Sequence, residues 1–262
     1  FAATILLGAF VLMLPFCTTS GRISIIDALF TSASAVCVTG LTVVDTATGF
    51  TTAGQVVLLI LIQLGGLGIM TFSTMVLLAA GRSITISDRI LVQEGYHPGS
   101  PRDFRALIKN VFLFTAVIEG AGFILLFLRF LQDGPWTRAL FSGLFHSVSA
   151  FCNAGFSVYS DNLMGFRGDI LVNLTVAHLI IFGGLGFLVV GETSKAAAGL
   201  FKGMKMKLSL HSKMVLTTTT ALIVGSFFVF LALENSGALR SFSWKDKILA
   251  SFFQVVTPRT AG

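Results

Sequence analysis

The residues with most chemistry to offer lie in three glycine-bearing stretches. Residues 30–43 read FTSASAVCVTGLTV and residues 145–158 read FHSVSAFCNAGFSV. Aligned on Gly40 and Gly155, the two share Phe, two Ser, Ala, Cys, Gly and Val. Residues 252–262, FFQVVTPRTAG, fit the same frame loosely and end on Gly262. Such internal repetition signals repeated architecture. Glycine adopts positive φ freely, so a turn built on it can aim successive main-chain carbonyls the same way. Rings of such carbonyls replace the hydration shell of a potassium ion. The candidate positions are Val38, Thr39 and Gly40; Asn153, Ala154 and Gly155; Thr260, Ala261 and Gly262. None carries an acid, so a ring of carboxylates choosing divalent ions is not supported. Neutral side chains with carbonyls suit a weakly hydrated monovalent cation.

The surrounding chain is that of a membrane protein. It is 54% hydrophobic and 11% charged, with mean hydropathy +0.88, against about 25% charge in soluble domains. A net charge of +6 and pI near 9.6 raise the question of nucleic acid. No aromatic-interleaved basic stripe supports it, and the charges fall between apolar runs, so topology accounts for them. A span takes about 20 apolar residues. Candidates are Phe1 to Phe16, Ala53 to Ala80, Val111 to Leu131, Ile170 to Val190 and Met214 to Leu233. The apolar runs ahead of the glycine turns, 25–36, 139–151 and 245–256, are too short to cross, at about 1.5 Å per residue.

The unit is therefore span, half-helix, turn, span, with the half-helix entering and the chain returning on one side. Irregular backbone at membrane depth is tolerated only when packed in protein or lining water, so the turns should face a shared interior. The expected organisation is a first repeat over 1–80 (turn 37–41, second span 53–80) and a linker over 81–110. A second repeat covers 111–190 (turn 152–156, second span 170–190), followed by a linker over 191–213. A partial third covers 214–262 (turn 257–262). The fold class is an all-α polytopic membrane protein of pore-helix repeats with pseudo-fourfold symmetry; a fourth arc is expected beyond Gly262. Lysines and arginines gather at Arg82, Arg89, Arg102, Arg105 and Lys109, and at Lys195, Lys202, Lys205, Lys207 and Lys213. That makes those linkers cytoplasmic and brings the half-helices in from outside. Their C-terminal ends, each about half a negative charge, then point to the membrane centre. The basic linkers could also meet an acidic cytosolic partner or anionic lipid.

A second repeated motif, GGLG at Gly65–Gly68 and Gly183–Gly186, lets helices approach closely; packing is favoured over a direct ion contact. Cys17, Cys37 and Cys152 form no zinc or disulfide pattern, and Cys37 and Cys152 read as small side chains supporting the turns. An intramembrane enzyme using Cys37 or Cys152 with His146 or His178 lacks any nucleophile motif. Arg259 holds the corresponding third position, and a brace to carbonyls behind the turn is favoured over a barrier in the pore. Glu119, inside a span, is a functional candidate, a protonated acid or the partner of a polar group on a neighbouring span. His178 reads as a hydrogen-bonder between helices and His146 as a packing residue. Asp45 and Asp161 could concentrate cations at the outer mouth or cap local turns.

DALFTSAS, VTGLTVVDT, FHSVSAFCNAGFS, DNL, VNL, GGLGF and FFQVVTPRTAG together resemble the Trk/Ktr/HKT superfamily of potassium transporters, most closely its Ktr membrane subunits. The likeness runs in order over essentially the whole chain. It implies four repeats per subunit, one pore per subunit and a homodimer in the cell membrane, for a bacterium the inner membrane. It also implies gating by a cytosolic ring of nucleotide-binding RCK subunits of the KtrA type. The nine turn positions above would be its selectivity filter and potassium its cargo, with no organic cofactor. The family's intramembrane gating loop would follow the third filter, beyond this chain. The sodium-selective branch carries Ser at the first filter glycine, so Gly40 implies potassium selectivity. The alternative reading is a secondary cation transporter working by alternating access, whose repeats would be expected to invert. The repeats here keep one orientation.

Overall fold

The computed structural model describes residues 1–79, 101–201 and 208–260. Ala261 and Gly262 of the third turn, and Arg82, Arg89, Lys202, Lys205 and Lys207 of the two linkers, lie outside the described residues. The first repeat comprises α1 (Ala2–Leu12), α2 (Ile25–Val36), the short α3 (Thr46–Gly49) and α4 (Thr52–Ala79). The second comprises α5 (Pro101–Phe130), α6 (Trp136–Phe151), α7 (Ile170–Leu185) and α8 (Phe187–Phe201), and the third α9 (Leu210–Glu234) and α10 (Trp244–Thr260). Among the described residues the only extended pairing is a bridge between Thr18 and Phe50.

Local chemistry explains where these helices start. Ser24 accepts the Asp27 amide at 3.0 Å and donates its hydroxyl to the Asp27 carboxylate at 2.7 Å. This reciprocal cap opens α2 with an acid in its first turn, as the helix dipole favours. Asp169 caps α7 through the Val172 amide, and Ser209 caps α9 through the Ser212 amide. The apolar stretches Thr52–Ile69, Lys109–Phe130 and Leu210–Glu234 are each long enough to cross a membrane. Only Ser212 of α9 is buried in protein, so the helix presents its apolar surface outward, as lipid permits. The twelve residues of α2 cover roughly 18 Å, about half of what a crossing needs.

Packing repeats from unit to unit. The pore helix α2 lies on α1 and α4, and α6 on α5 and α7; α4 also touches α6, and α7 touches α10. Each second span therefore sits between its own pore helix and the next one. The Ser32 hydroxyl donates to the Ile5 carbonyl at 2.8 Å, and Ser147, at the matching position, to the Glu119 carbonyl at 2.6 Å. Gly8 and Gly122, three residues further along each first span, leave space for these serines and for Leu61 and Leu179. A small residue at each crossing is how membrane helices gain close contact without a hydrophobic driving force.

Several boundaries differ from expectation: α5 starts at Pro101 inside the expected first linker, α6 at Trp136, and α8 and α9 extend into the expected second linker. The segment from Ile170 is not one helix to Val190: it breaks at Gly186, where the chain bends by 108°. Gly186 takes φ +82°, a conformation that Cβ-bearing residues resist. Phe187, just past the break, packs edge-on against Phe114 of α5 with centroids 6.3 Å apart. The matching GGLG of the first repeat stays inside continuous α4, where Ile69 follows. The first span is helical only over Ala2–Leu12, because the chain turns from Met13 onward. The third pore helix runs on to Thr260 with Pro258 inside it, past the expected end at 256. In the glycine register Thr260 matches Val38 and Asn153, which in the other repeats lie just past the capping residues Cys37 and Cys152.

Candidate functional site

Both complete pore helices end in the same way. At α2 the Val38 amide bonds the Ala35 carbonyl (3.3 Å) and the Thr39 amide bonds the Ser34 carbonyl (2.8 Å). At α6 the Asn153 amide bonds Ala150 (3.0 Å) and the Ala154 amide bonds Ser149 (2.8 Å). This crossed pair is the Schellman arrangement, which requires the first residue past the cap to be left-handed. Val38 at φ +56° and Asn153 at +61° meet that requirement, and Gly40 at +81° and Gly155 at +71° repeat the positive φ two residues on. Asparagine tolerates this region. For a β-branched valine it is a strained position. Two positive-φ residues spaced by one, at the same register of both repeats, turn the backbone away from the helix axis and keep it irregular.

The GGLG motifs hold these ends. A Cβ on Gly65 would overlap the Val36 carbonyl, and one on Gly183 the Phe151 carbonyl. The first glycine of each motif thus seats its own pore helix's last turn. Gly66, one residue on, faces the Sγ of Cys152, 2.5 Å from where a Cβ would stand. The dipeptide Gly65–Gly66 is wedged between the C-terminal ends of α2 and α6 and brings the first two turns against one span.

The second turn is strapped to its helix. Ser149 donates to the Phe156 carbonyl at 2.7 Å. His146, buried, lies 2.7 Å from the Ser142 carbonyl and 2.8 Å from the Ser157 hydroxyl, and stacks on Tyr159 at 5.0 Å. Asn153 donates its side-chain amide to the Phe151 carbonyl at 3.2 Å. A cleft of about 890 Å³ separates this turn from α10, lined by Gly155, Phe156, Gln254 and Thr257 among others.

The remaining candidates fall as follows. Cys152 is buried and Cys37 exposed, so only one of the pair is the small buried side chain expected. Glu119 has a partner on a neighbouring span, Gln63, whose amide donates to its carboxyl at 3.2 Å. His178 bonds the Leu174 carbonyl of its own helix at 2.6 Å and is exposed; the hydrogen bond is made within α7, to the carbonyl one turn back, rather than between helices. Asp45 caps α3, accepting the Ala47 amide and the Thr48 hydroxyl. The Ser160 hydroxyl, first, and these two donors hold its carboxyl below the usual range, linking the loops that follow the first two turns. Asp161 is exposed. Arg259 lies in the last turn of α10, and the brace expected of its side chain lies outside what is described. The straps by His146 and Ser149 were missed by sequence reasoning, although Ser157 was a visible polar partner eleven residues from His146.

Comparison with known proteins decides the family. The model of the TrkH family, described as cation transport protein, matches residues 3–262. The chain belongs to the TrkH cation transport protein family. Among relatives of this family member, the Ktr system potassium uptake protein B of Bacillus subtilis is 46% identical over 264 residues, covering 100% of this chain and 58% of the relative. The protein of the same name from Vibrio alginolyticus is 40% identical, covering 100% and 57%. The potassium/sodium uptake protein NtpJ of Enterococcus hirae is 37% identical with the same coverage. The chain thus spans less than three-fifths of the length of these relatives. The crystal structure of the potassium transporter TrkH from Vibrio parahaemolyticus superposes with a TM-score of 0.62 at 20% identity, over 98% of this chain and 48% of that one. The helical membrane fold expected from the repeats is therefore the fold of this family.

Proposed function

We propose that this chain is the greater part of a potassium uptake subunit of the cell membrane, in bacteria the inner membrane. In it, main-chain carbonyls of Val38–Gly40, Asn153–Gly155 and Thr260–Gly262 take over the water shell of the passing ion. One observation carries this reading: two pore helices end in an identical capping arrangement with positive φ at the same two positions, Val38 and Gly40, Asn153 and Gly155. The cap calls for a left-handed residue, and Val38 fills that place with a β-branched side chain where glycine would be unstrained; retained strain of this kind clusters at functional positions. The carbonyl ends of α2 and α6, each equivalent to about half a negative charge, are seated against the same glycine pair of α4. Their field favours a cation. The relatives named as potassium uptake proteins support potassium as the ion, and Gly40 rather than Ser at the first filter glycine supports selectivity for it over sodium.

Conduction through such carbonyl sites needs a gate. We place it in a cytosolic ring of nucleotide-binding RCK subunits acting on a homodimer, consistent with relatives named as protein B of a Ktr system. The basic linkers are the parts of this chain with the charge to meet it. The test is rubidium and sodium flux in vesicles holding the full-length protein. Gly155→Ala and Gly40→Ser should each lower the rubidium-to-sodium ratio. An unchanged ratio in both variants overturns the filter reading. A flux that saturates at low turnover and follows a second ion gradient would instead favour alternating access.

A further inference from the structure

We infer that Glu119 and Gln63 are positioning residues for the second turn, acting through Cys152. The inference rests on the filter reading above. Three polar side chains from three separate elements meet here within apolar surroundings: Gln63 of α4, Glu119 of α5 and Cys152 at the end of α6. The Gln63 amide donates to one carboxyl oxygen of Glu119 at 3.2 Å. The Cys152 sulfur lies 3.8 Å from the other carboxyl oxygen and 3.8 Å from the Gln63 carbonyl oxygen. A polar group in hydrocarbon is costly unless paired, so each of the three fixes the other two. Glu119 is attached to α6 a second time, since its main-chain carbonyl accepts the Ser147 hydroxyl.

Cys152 is the last residue before the chain leaves the helix, and Asn153, next along, is the left-handed residue that opens the turn. Holding the sulfur holds the end of α6 from which this turn starts. Gly66 is the space that lets the sulfur reach the pair. The first repeat has nothing comparable: Ile5 stands at the position of Glu119, and Cys37 is exposed. The second repeat offers Ile181 where the first has Gln63. The cluster therefore belongs to the junction of the first two repeats alone among those described, and it loads one turn of the filter asymmetrically.

A purely structural pair and a positioning pair respond differently to removal. Replacing both partners by apolar groups of similar shape is close to neutral for stability, whereas positioning is lost. In the full-length protein, Gln63→Leu combined with Glu119→Leu should keep the thermal midpoint in detergent near wild type. It should lower the rubidium-to-sodium flux ratio about fivefold, the equivalent of one hydrogen bond of ordinary net strength. Glu119→Gln, which keeps an acceptor oxygen without a charge, should retain the wild-type ratio. A double variant with the wild-type ratio, or a Glu119→Gln that loses as much as the double, overturns the inference; the latter would show that charge rather than geometry matters. Should the double variant fail to assemble, Cys152→Ala and Cys152→Ser decide. Serine keeps a donor and should preserve the ratio, alanine should lower it, and equal ratios for the two overturn the inference. Gly155→Ala run alongside separates the two layers. If it shifts the ratio while these variants do not, the positioning role falls and the filter stands. If nothing shifts it, the filter reading itself falls.

Discussion

At the second turn, Ser149 and His146 bond the descending strand of the loop, and residues 152–154 and 156–157 are buried. At the first turn, Ser34 and Thr31 stand at the same two helix positions with buried hydroxyls that meet no hydrogen-bond partner among the described residues. Thr39, Leu41 and Thr42 are exposed there. Yet both turns have the same pair of crossed amide bonds and the same two positive φ angles. The backbone of the turn is thus set by how the pore helix ends and by the glycine that seats it. The straps fix the loop further but do not create its shape. The GGLG motifs carry the same contrast one step outward. Both seat a pore helix with their first glycine, but only the second bends its span, at Gly186.

If the seating glycines set the turns, Gly65→Ala and Gly183→Ala should have the largest effects. The added Cβ would meet backbone carbonyl oxygen, which cannot swing aside as a side chain can. Overpacking of this kind costs up to about 3 kcal/mol, read as loss of folded protein in detergent, and equal losses in both variants would show the two repeats using the motif alike. Next come the positive-φ positions. Val38→Asn should stabilise by about 1 kcal/mol, since left-handed backbone costs that much for a Cβ-branched residue and less for asparagine. The thermal midpoint checks it, and a destabilised variant would mean the valine side chain matters more than its backbone. The straps should matter unequally: Ser149→Ala should cost about 1 kcal/mol, the net worth of its hydrogen bond, and Ser34→Ala nearly nothing. Equal costs would erase the contrast between the turns. The smallest effect is at Asp45. Its lowered pKa means the folded state prefers the carboxylate, so the stability it adds is present above the ordinary carboxylate range and lost as pH falls through the lowered folded value. In Asp45→Asn the fall in thermal midpoint between neutral and acidic buffer should be slightly smaller than in the parent.

Much of this was readable from residues. The repeat FTSASAVCVTG/FHSVSAFCNAG placed both complete pore helices and both turns, because glycine and the apolar run ahead of it constrain the backbone directly. Helix α2 begins and ends where the pattern ended, at Ile25 and Val36. What could not be read depended on contacts between distant segments. Gly68 and Gly186 sit in identical motifs, yet the span bends at Gly186, where Phe187 packs on Phe114 of a distant segment. Likewise Gln63 is one polar residue in an apolar run, and nothing local pairs it with a carboxyl 56 residues away. His178 is the opposite case: its partner is local, one turn back in its own helix.

The most direct test of the carbonyl filter is anomalous diffraction from crystals of the full-length protein grown with thallium in place of potassium. The account predicts an anomalous peak coordinated by main-chain oxygens of Val38–Gly40 and Asn153–Gly155 together. Thallium bound only elsewhere, or loops whose carbonyls face lipid or separate compartments, would contradict it.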